Sequence, residues 1–480
     1  MGKMKQVRIS LVVSWILVLL FNVTLFAQSQ RISPDAGYAV QDINMTAPYT
    51  IGYSGGLDVV YADISTMNHS NRAFVHEHMK DDYQTTEIVL FNYNGERTKL
   101  LFTATGWPQA VKKIGDRIWF SYTGAEGAGF YSIPWDKTLS SYPASSARPE
   151  VIVDYNWEVE QAPDGKIFIC GAEGMSGGQK ISYVDTENNN TVIPVIIIGG
   201  NSSGFAIDSE GNIWSGEYVL GWSPSMHIEP CRLGMWSKEK VENAIATGTP
   251  LTWDDADVVI PLGSTDITGQ TTNWGPNDIE ADSQGNIYVS MNTYSSWNDS
   301  SEYGRVIKIS PDGSGNYTIT ELGQTVQRIN KWDWARTLAF DGTSDIDTAA
   351  YTDPTKNGPS ANILFLDMDM TQCDDVDQVV AIVTDQDYDS DGVPDAVDNA
   401  PETYNPEQVD TDGDMYGNIC DADFDNDGYV GIQDFNIFSS NYNQTVPPGN
   451  PDVDMDGGDY IGPSDFAEFQ SRYNSSAPWF

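Results

Sequence analysis

The 480-residue chain carries 69 acidic and 25 basic residues, a formal charge of −44, and 40% of it is apolar. That apolar share supports a sizeable core and about two to four domains, while the charge repels nucleic acid and anionic membranes and attracts cations. The excess is uneven, because residues 373–480 hold 25 of the acids and a single base, Arg472.

The chain opens on MGKMKQVRISLVVSWILVLLFNVTLFAQSQ. Lys3, Lys5 and Arg8 form a basic start, Ile9 to Phe26 is apolar, and cleavage after Ala27 fits a secretory leader over residues 1–27. An uncleaved anchor is the alternative, since the apolar run is about long enough to span a bilayer. With the leader removed, no membrane span is expected, and the destination is secreted or cell-surface. In an oxidising compartment the four cysteines become candidates for disulfides. Of the three possible pairings, Cys170–Cys231 and Cys373–Cys420 are expected, with free thiols as the alternative.

Residues 28–372 show no long helical periodicity. They show a recurring hairpin phrase: AVKKIGDRIWFSY from Ala110, VEQAPDGKIFICG from Val159, FAIDSEGNIWSGE from Phe205 and IEADSQGNIYVSM from Ile279. Each reads as a strand, a glycine-containing turn and a second strand of alternating apolar residues. A degenerate copy starts at Thr337. Turn glycines 165 and 211 stand 46 residues apart, one four-stranded blade, and 211 and 285 stand 74 apart, a blade with an insertion. The fold expected is mainly β, a propeller of five to seven blades, with paired β-sandwiches as the alternative.

The phrase AIDSEGNIW resembles gluconolactonase-like six-bladed propellers. The resemblance implies that the loop entering each innermost strand points toward a central channel. Aligned phrases put Gln109, Glu158, Gly204, Asp278 and Thr337 at one position around the channel, with Pro108, Trp157, Ser203, Asn277 and Arg336 just before it. Trp107, Trp157, Trp274, Trp332 and Trp334 lie close by. Aromatic faces beside Glu158, Asn277, Asp278 and Arg336 make a carbohydrate platform, because sugar C–H faces stack on rings while hydroxyls take polar partners. These tryptophans wedging between blades is the alternative. Glu158 and Asp278 also suit an acid/base pair or a divalent-ion site. His76-Glu77-His78 places two imidazoles on one side of a strand but offers no third metal ligand. No nucleophile elbow, phosphate loop or zinc-protease motif is present.

From Asp385 to Gly428 the chain has no lysine or arginine. A calcium loop takes oxygen ligands at positions 1, 3, 5, 7 (a carbonyl), 9 and 12, with a turn glycine at 6. Asp387, Asp389, Asp391, Val393, Asp395 and Asp398 fill one register around Gly392. Asp410, Asp412, Asp414, Asn418 and Asp421 fill a second, with Met415 at the glycine position. Asp423, Asp425, Asp427, Tyr429 and Asp434 fill a third around Gly428. Oxygen donors without His or Cys suit Ca²⁺, several ions in all. With Asp398-Asn399, Asn405-Pro406-x-Gln408 and Cys420-Asp421, the pattern resembles thrombospondin type 3 repeats. The resemblance implies calcium ions strung along a chain with almost no apolar core. Since this copy lacks the cysteine that often follows Asp398-Asn399, it also implies Cys373 as the partner of Cys420.

DNDGYVGIQDFNIFSSNYN and DGGDYIGPSDFAEFQSRYN repeat with a 31-residue period. In each, aromatic residues recur at helical spacing: Phe435, Phe438 and Tyr442, then Phe466, Phe469 and Tyr473. The pair resembles a dockerin, which plugs into a cohesin. By that resemblance Asp454, Asp456, Tyr460 (carbonyl) and Asp465 bind one further ion, more weakly, because Gly458-Asp459 stands where Asp-Gly is expected. Asp452 or Asp459 would compensate. Ile432-Gln433 and Pro463-Ser464 occupy the partner-reading positions.

The chain thus reads as a propeller (28–372), calcium repeats (373–420) and a dockerin-like module (421–480). The expected function is that of a secreted calcium-binding modular protein. Its propeller binds carbohydrate or a protein, and its tail attaches it to a cohesin-like or other extracellular component or to copies of itself. The alternative is a polysaccharide lyase or glycoside hydrolase using Glu158, Asp278 and Arg336.

Overall fold

The computed structural model describes residues 32–44, 51–63, 70–80, 82, 84–92, 97–123, 128–135, 147–153, 156–171, 179–199, 204–217, 231–262, 264–265, 271–272, 274–293, 304–325, 334–341, 363–369, 378–384, 387–395, 397–412, 414 and 416–476. The leader and Cys373 lie outside them. Among the described residues no helix is long and apolar enough to cross a membrane.

The hairpin phrases fold as the sequence indicates. Each is the innermost strand of a blade, a turn and the second strand. Gly115, Gly165, Gly211 and Gly285 hold the left-handed backbone (φ 59°, 89°, 89° and 84°) that these turns need. An aspartate closes the longer turns from inside. Asp282 Oδ1 accepts the amides of Gln284 and Asn286 at 2.9 Å, and its Oδ2 accepts Asn286 Nδ2 at 2.7 Å and the Tyr288 hydroxyl at 3.1 Å. Asp208 repeats the arrangement with Glu210, Asn212 and the Trp214 indole. The D-x-x-G-N phrase is therefore turn chemistry.

The blades start at the innermost strands Ile51–Asp63, Trp107–Ile114, Asn156–Gln161, Phe205–Ile207, Trp274–Ala281 and Trp334–Asp341. Successive innermost strands touch, and the sixth touches the first, so the ring closes with six blades. Blade 4 carries the insertion that the 74-residue interval indicates, helix α1 (Lys238–Thr247) between its third and fourth strands. The fourth strand of blade 6 is Tyr38–Asn44, paired along its length with Gln378–Thr384, and the short Ile32–Pro34 adds a fifth strand to blade 5. Segments from the two ends of the propeller chain therefore share one sheet.

Every joint between neighbouring blades has its own hydrophobic cluster, six in all. Period-2 alternation produces this: side chains on one face of a blade pack one joint and those on the other face pack the next. Buried tryptophans in these joints are Trp119, Trp214 and Trp236.

Four expectations need correction. Cys170 lies in the joint between blades 3 and 4 and Cys231 in the joint between blades 4 and 5, so two different cores separate them and no disulfide joins them. Cys420 is a buried thiol whose Sγ lies 3.4 Å from the Asn399 carbonyl oxygen. The propeller does not end at residue 372, because Gln378–Thr384 is the third strand of blade 6. Nor does a boundary fall at residue 420. Ala400, Tyr416 and Cys420 share one apolar cluster with Ala422, Phe424, Phe438, Val453, Met455, Ile461 and Phe469. The repeats also reach back to the ring, where Val397 packs on the cluster between blades 6 and 1.

The duplicate at the C-terminus folds as two loop–helix units, with helices α2 (Ile432–Asn441) and α3 (Pro463–Arg472). The loops pair crosswise. Val430 N bonds Ser475 O at 2.9 Å, and Ile461 N bonds Gln444 O at 2.9 Å, the same contact displaced by one period. Phe438 and Phe469 are buried and stack at 5.2 Å, while Phe435 and Phe466 are 38% and 39% exposed. The units are related as two halves of a symmetric pair, since one loop–helix alone cannot bury its aromatic residues.

Candidate metal centres and the propeller rim

In the acidic segment, the ligand oxygens of Asp387, Asp389 and Asp391 lie within 4.8 Å of one another, and so do those of Asp410, Asp412 and Asp414. The same holds for Asp423, Asp425 and Asp434, and for Asp454, Asp456 and Asp465. These groups correspond to the four loops, and the local backbone explains them. Side-chain oxygens of early aspartates collect amides from later in the loop: Gly392 N bonds Asp387 Oδ2 at 2.9 Å, Val393 N bonds Asp391 Oδ1 at 2.8 Å, and Gly428 N bonds Asp423 Oδ2 at 2.6 Å. These bonds fold the chain back so that alternate carboxylates converge.

Other candidate ligands are engaged differently. Asp395 Oδ1 accepts Tyr388 N at 2.7 Å, and Asp427 Oδ1 accepts Tyr429 N at 3.0 Å. Asn418 Oδ1 accepts Thr411 N at 2.8 Å, and its amide nitrogen donates to the Pro451 carbonyl at 2.9 Å. Asp398 Oδ1 takes Ala400 N at 2.8 Å and Gln408 Nε2 at 2.7 Å. The carbonyl-donating residues Tyr429 and Tyr460 sit in the crosswise pairing, bridged to Ser476 and Thr445.

The residues fit a hard cation. Asp387 Oδ1, Asp389 Oδ2, Asp398 Oδ2 and Asp421 Oδ2 are buried oxygens with no hydrogen-bond donor, a state that costs about 1–3 kcal/mol or more per charged group. Burial above all pushes Asp389 up to about 6 and Asp398 up to about 7, and it raises Asp414 and Asp421 well above the carboxylate range. Among the described residues no ion pair relieves them, and Arg472, the one base of residues 373–480, pairs with Glu468 on α3 at 2.9 Å.

The second loop–helix unit departs from the first where the sequence indicates. Asp459, at φ 57°, stands where Gly428 stands in the first unit, and Gly457, at φ 66°, stands where Asn426 stands. The turn keeps its shape with an aspartate in the left-handed region, at a cost of about 1 kcal/mol. The triad Asp454, Asp456 and Asp465 is gathered as in the first unit.

The family model of the thrombospondin type 3 repeat matches residues 380–408 and 409–444. These segments are thrombospondin type 3 repeats. The repeats bind calcium, and the aspartate groups of this chain are arranged to hold metal ions. No curated protein matches the chain in sequence. Similar solved structures include a luciferin-regenerating enzyme (12% identity, 72% of this chain and 95% of that one, TM-score 0.43). Another is a protein designated a gluconolactonase (11%, 73% and 93%, TM-score 0.36). A third is an α-L-arabinofuranosidase from Fusarium graminearum (10%, 71% and 96%, TM-score 0.42).

On the ring side of the repeats, the innermost strands carry a recurrent β-bulge. The register slips at Gly55, Gln109, Trp157 and Asn277 in blades 1, 2, 3 and 5, and between Ala335 and Leu338 in blade 6. A bulge re-aims side chains, and here it recurs near the entry end of each strand. Trp107, Trp274 and Trp334 are the first residues of the innermost strands of blades 2, 5 and 6, and Trp157 is the second of blade 3. All four therefore stand at one end of the channel, with Trp107 42% exposed. Arg336 is on the innermost strand of blade 6, and Asn277 is buried. Trp332 lies outside the described residues.

The register corrects one alignment. Glu158 pairs with Cys170 and Asp278 with Ser290, but the residue opposite the matching Ser121 is Ala110. The turn of blade 2 is shorter, which moves the equivalence by one, and Gln109 is the bulged residue. Asp278 is held on both sides: Oδ1 accepts Ile279 N at 2.8 Å and Oδ2 accepts Leu338 N of blade 6 at 2.8 Å. Glu158 Oε1 accepts Val159 N at 2.8 Å. Gly204 packs so closely on this site that a Cβ there would stand 2.5 Å from Asp278 Oδ1.

Two residues further along the same strands is a group that the sequence reading passed over. Lys112 Nζ lies 2.7 Å from Glu160 Oε1 and 2.7 Å from Glu280 Oε1. Asp58 and Glu158 also act on it. Burial opposes the Lys112 ammonium, but Glu160, Glu280, Asp58 and Glu158 together hold its pKa well above the lysine range. Burial lifts Asp58 to about 6. It lifts Asp278 to about 7, aided by Glu280, and with Asp278 and Glu160 it raises Glu158 well above the usual range. Lys112, Glu160 and Glu280 each follow the apolar residue Val111, Val159 or Ile279, so comparison of the phrases would have found them.

His76 and His78 are buried, with their Nδ1 atoms 3.1 Å apart, and both pack on Phe91. Burial and His76 lower His78 well below the imidazole range, so it is neutral. Among the described residues, no candidate metal group contains a histidine.

Proposed function

We propose that this is a secreted, calcium-dependent binding protein whose propeller rim takes carbohydrate. In this reading the C-terminal module, a dockerin-like pair, attaches it to another extracellular component. The observation that carries the reading is the rim itself. Four tryptophans stand at one end of a channel whose lower carboxylates are already satisfied by Lys112. Asp278 spends both oxygens on backbone amides, which suits a strut between blades 5 and 6 better than a proton carrier. Exposed Tyr429, Ile432, Phe435, Tyr442, Tyr460, Phe466 and Tyr473 give the module an apolar surface for a partner.

A second reading, a carbohydrate-active enzyme, has one observation in its favour. Burial, with Asp278 and Glu160 nearby, raises Glu158 well above the usual carboxylate range, the direction that favours the protonated form a general acid requires.

A glycan array probed with the full chain in calcium separates the two. Under the binding reading a class of glycans is retained and not cleaved, and Trp107→Ala weakens retention about tenfold or more. Product release that Glu158→Gln abolishes would establish the enzyme. Absence of any glycan retention would remove the carbohydrate reading altogether.

A further inference from the structure

The aspartates of the second repeat do not all gather at one point. Asp410, Asp412 and Asp414 form one group, but Asp412 also belongs to another, with Asp421 and Asp452, whose ligand oxygens lie within 4.8 Å of one another. Asp452 is not a repeat residue. It comes from the single helical turn Pro451–Val453 between α2 and the second loop of the helical module, beyond the end of the repeat match at residue 444.

This turn is fastened against the repeat. The Asn450 side chain accepts Asp452 N at 3.3 Å, and Asn418 of the repeat donates to the Pro451 carbonyl at 2.9 Å. The neighbouring Val453 is buried in the apolar cluster that the repeat and the helices share. Asp452 is 4% exposed and Asp421 1%. Asp421 Oδ1 accepts Asp423 N at 2.8 Å, whereas its Oδ2 is buried and has no hydrogen-bond partner. Asp412 Oδ2 takes the Asn426 amide at 2.8 Å. Three carboxylates thus converge from two modules. Arg472, the one base of residues 373–480, is engaged with Glu468.

We propose that Asp412, Asp421 and Asp452 hold a divalent cation of the calcium type, distinct from the ion of the Asp410–Asp414 loop, and that this ion locks the helical module onto the second repeat. An all-oxygen set of three carboxylates suits a hard ion, with water completing the shell. The site exists only while the two modules are docked, since the repeat supplies Asp412 and Asp421 and the helical module supplies Asp452. Asp452 therefore serves the junction, rather than compensating the loop that begins at Asp454. The proposal is independent of what the propeller binds.

The deciding experiment is a crystal structure of the full wild-type chain grown with calcium chloride. An ion about 2.3–2.6 Å from oxygens of Asp412, Asp421 and Asp452 is expected. A water, or carboxyls hydrogen-bonded to each other at that point beside an occupied Asp410–Asp414 loop, overturns the proposal. Native mass spectrometry of the full chain in calcium gives a second readout. Asp452→Asn is expected to hold one ion fewer than the wild type, and the exposed control Glu407→Gln, which belongs to no carboxylate group, is expected to hold the same number. An unchanged count for Asp452→Asn also overturns the proposal. Should Asp452→Asn unfold the module and shed several ions, the wild-type crystal still decides.

Discussion

Gly204 shows how tightly the channel wall is drawn. Its Cα faces Asp278, and any side chain would meet the carboxylate and the Asp278 backbone at 2.5–2.6 Å. Gly204→Ala is expected to destabilise the propeller by about 1–3 kcal/mol or more, read as a lower denaturation midpoint with unchanged slope. The channel carboxyls set a pH dependence of definite sign. Asp58 at about 6 and Asp278 at about 7 lie above their unfolded values near 4. The folded ring therefore binds protons that the unfolded chain has released. The stability these groups contribute is complete below pH about 4 and is lost as pH rises through about 6–7. In a chelator, the melting temperature of the propeller is expected to fall between pH 5 and pH 8, and Asp58→Asn is expected to flatten the fall. A rise over that interval would contradict the assignment. Residue-level legibility was uneven for a physical reason. Loop aspartates announce themselves by spacing, because each loop is local in sequence. The Lys112 cluster joins residues from four blades, and Cys170 and Cys231 sit in different joints, so only the folded ring reveals either.

Among the elements, the hairpin and the loop–helix pair were the most legible, since each completes its hydrogen bonds within about fifty residues. The turn aspartates Asp208 and Asp282 and the crosswise bonds of Val430 and Ile461 are what the recurring phrases encode. What spacing could not show is that the repeats have apolar support. Phe424, Tyr416 and Ala400 are buried with the helices' Phe438 and Phe469 in one cluster. Removal of calcium is still expected to open residues 387–476, because clustered buried carboxylates without a cation outweigh so small a core. Limited proteolysis in a chelator should cut this segment within minutes while the six blades survive. Equal resistance with and without calcium would show that the apolar cluster alone suffices.

For the whole molecule, ring closure is the determining feature. The strand Tyr38–Asn44 completes blade 6 against Gln378–Thr384, a contact between segments more than 330 residues apart that no local pattern betrays. A chain lacking residues 32–44 is expected to lose cooperative melting and to aggregate through the bare edge of blade 6. A soluble, sharply melting truncation would show that the other joints carry the ring. The number of blades was bracketed by the spacing of the phrases, whereas the extent of the last blade was misjudged, since its third strand runs on into the acidic segment.

The same strand has a mechanical consequence. Gln378–Thr384 is bonded antiparallel on both edges, to Ile363–Asp369 and to Tyr38–Asn44, and leads directly into the calcium repeats. A pull on an anchored tail would load both ladders in shear, many bonds at once, rather than peeling them one by one. The tether would therefore be expected to give way in the repeats before the ring tears, and it would re-form when ions return.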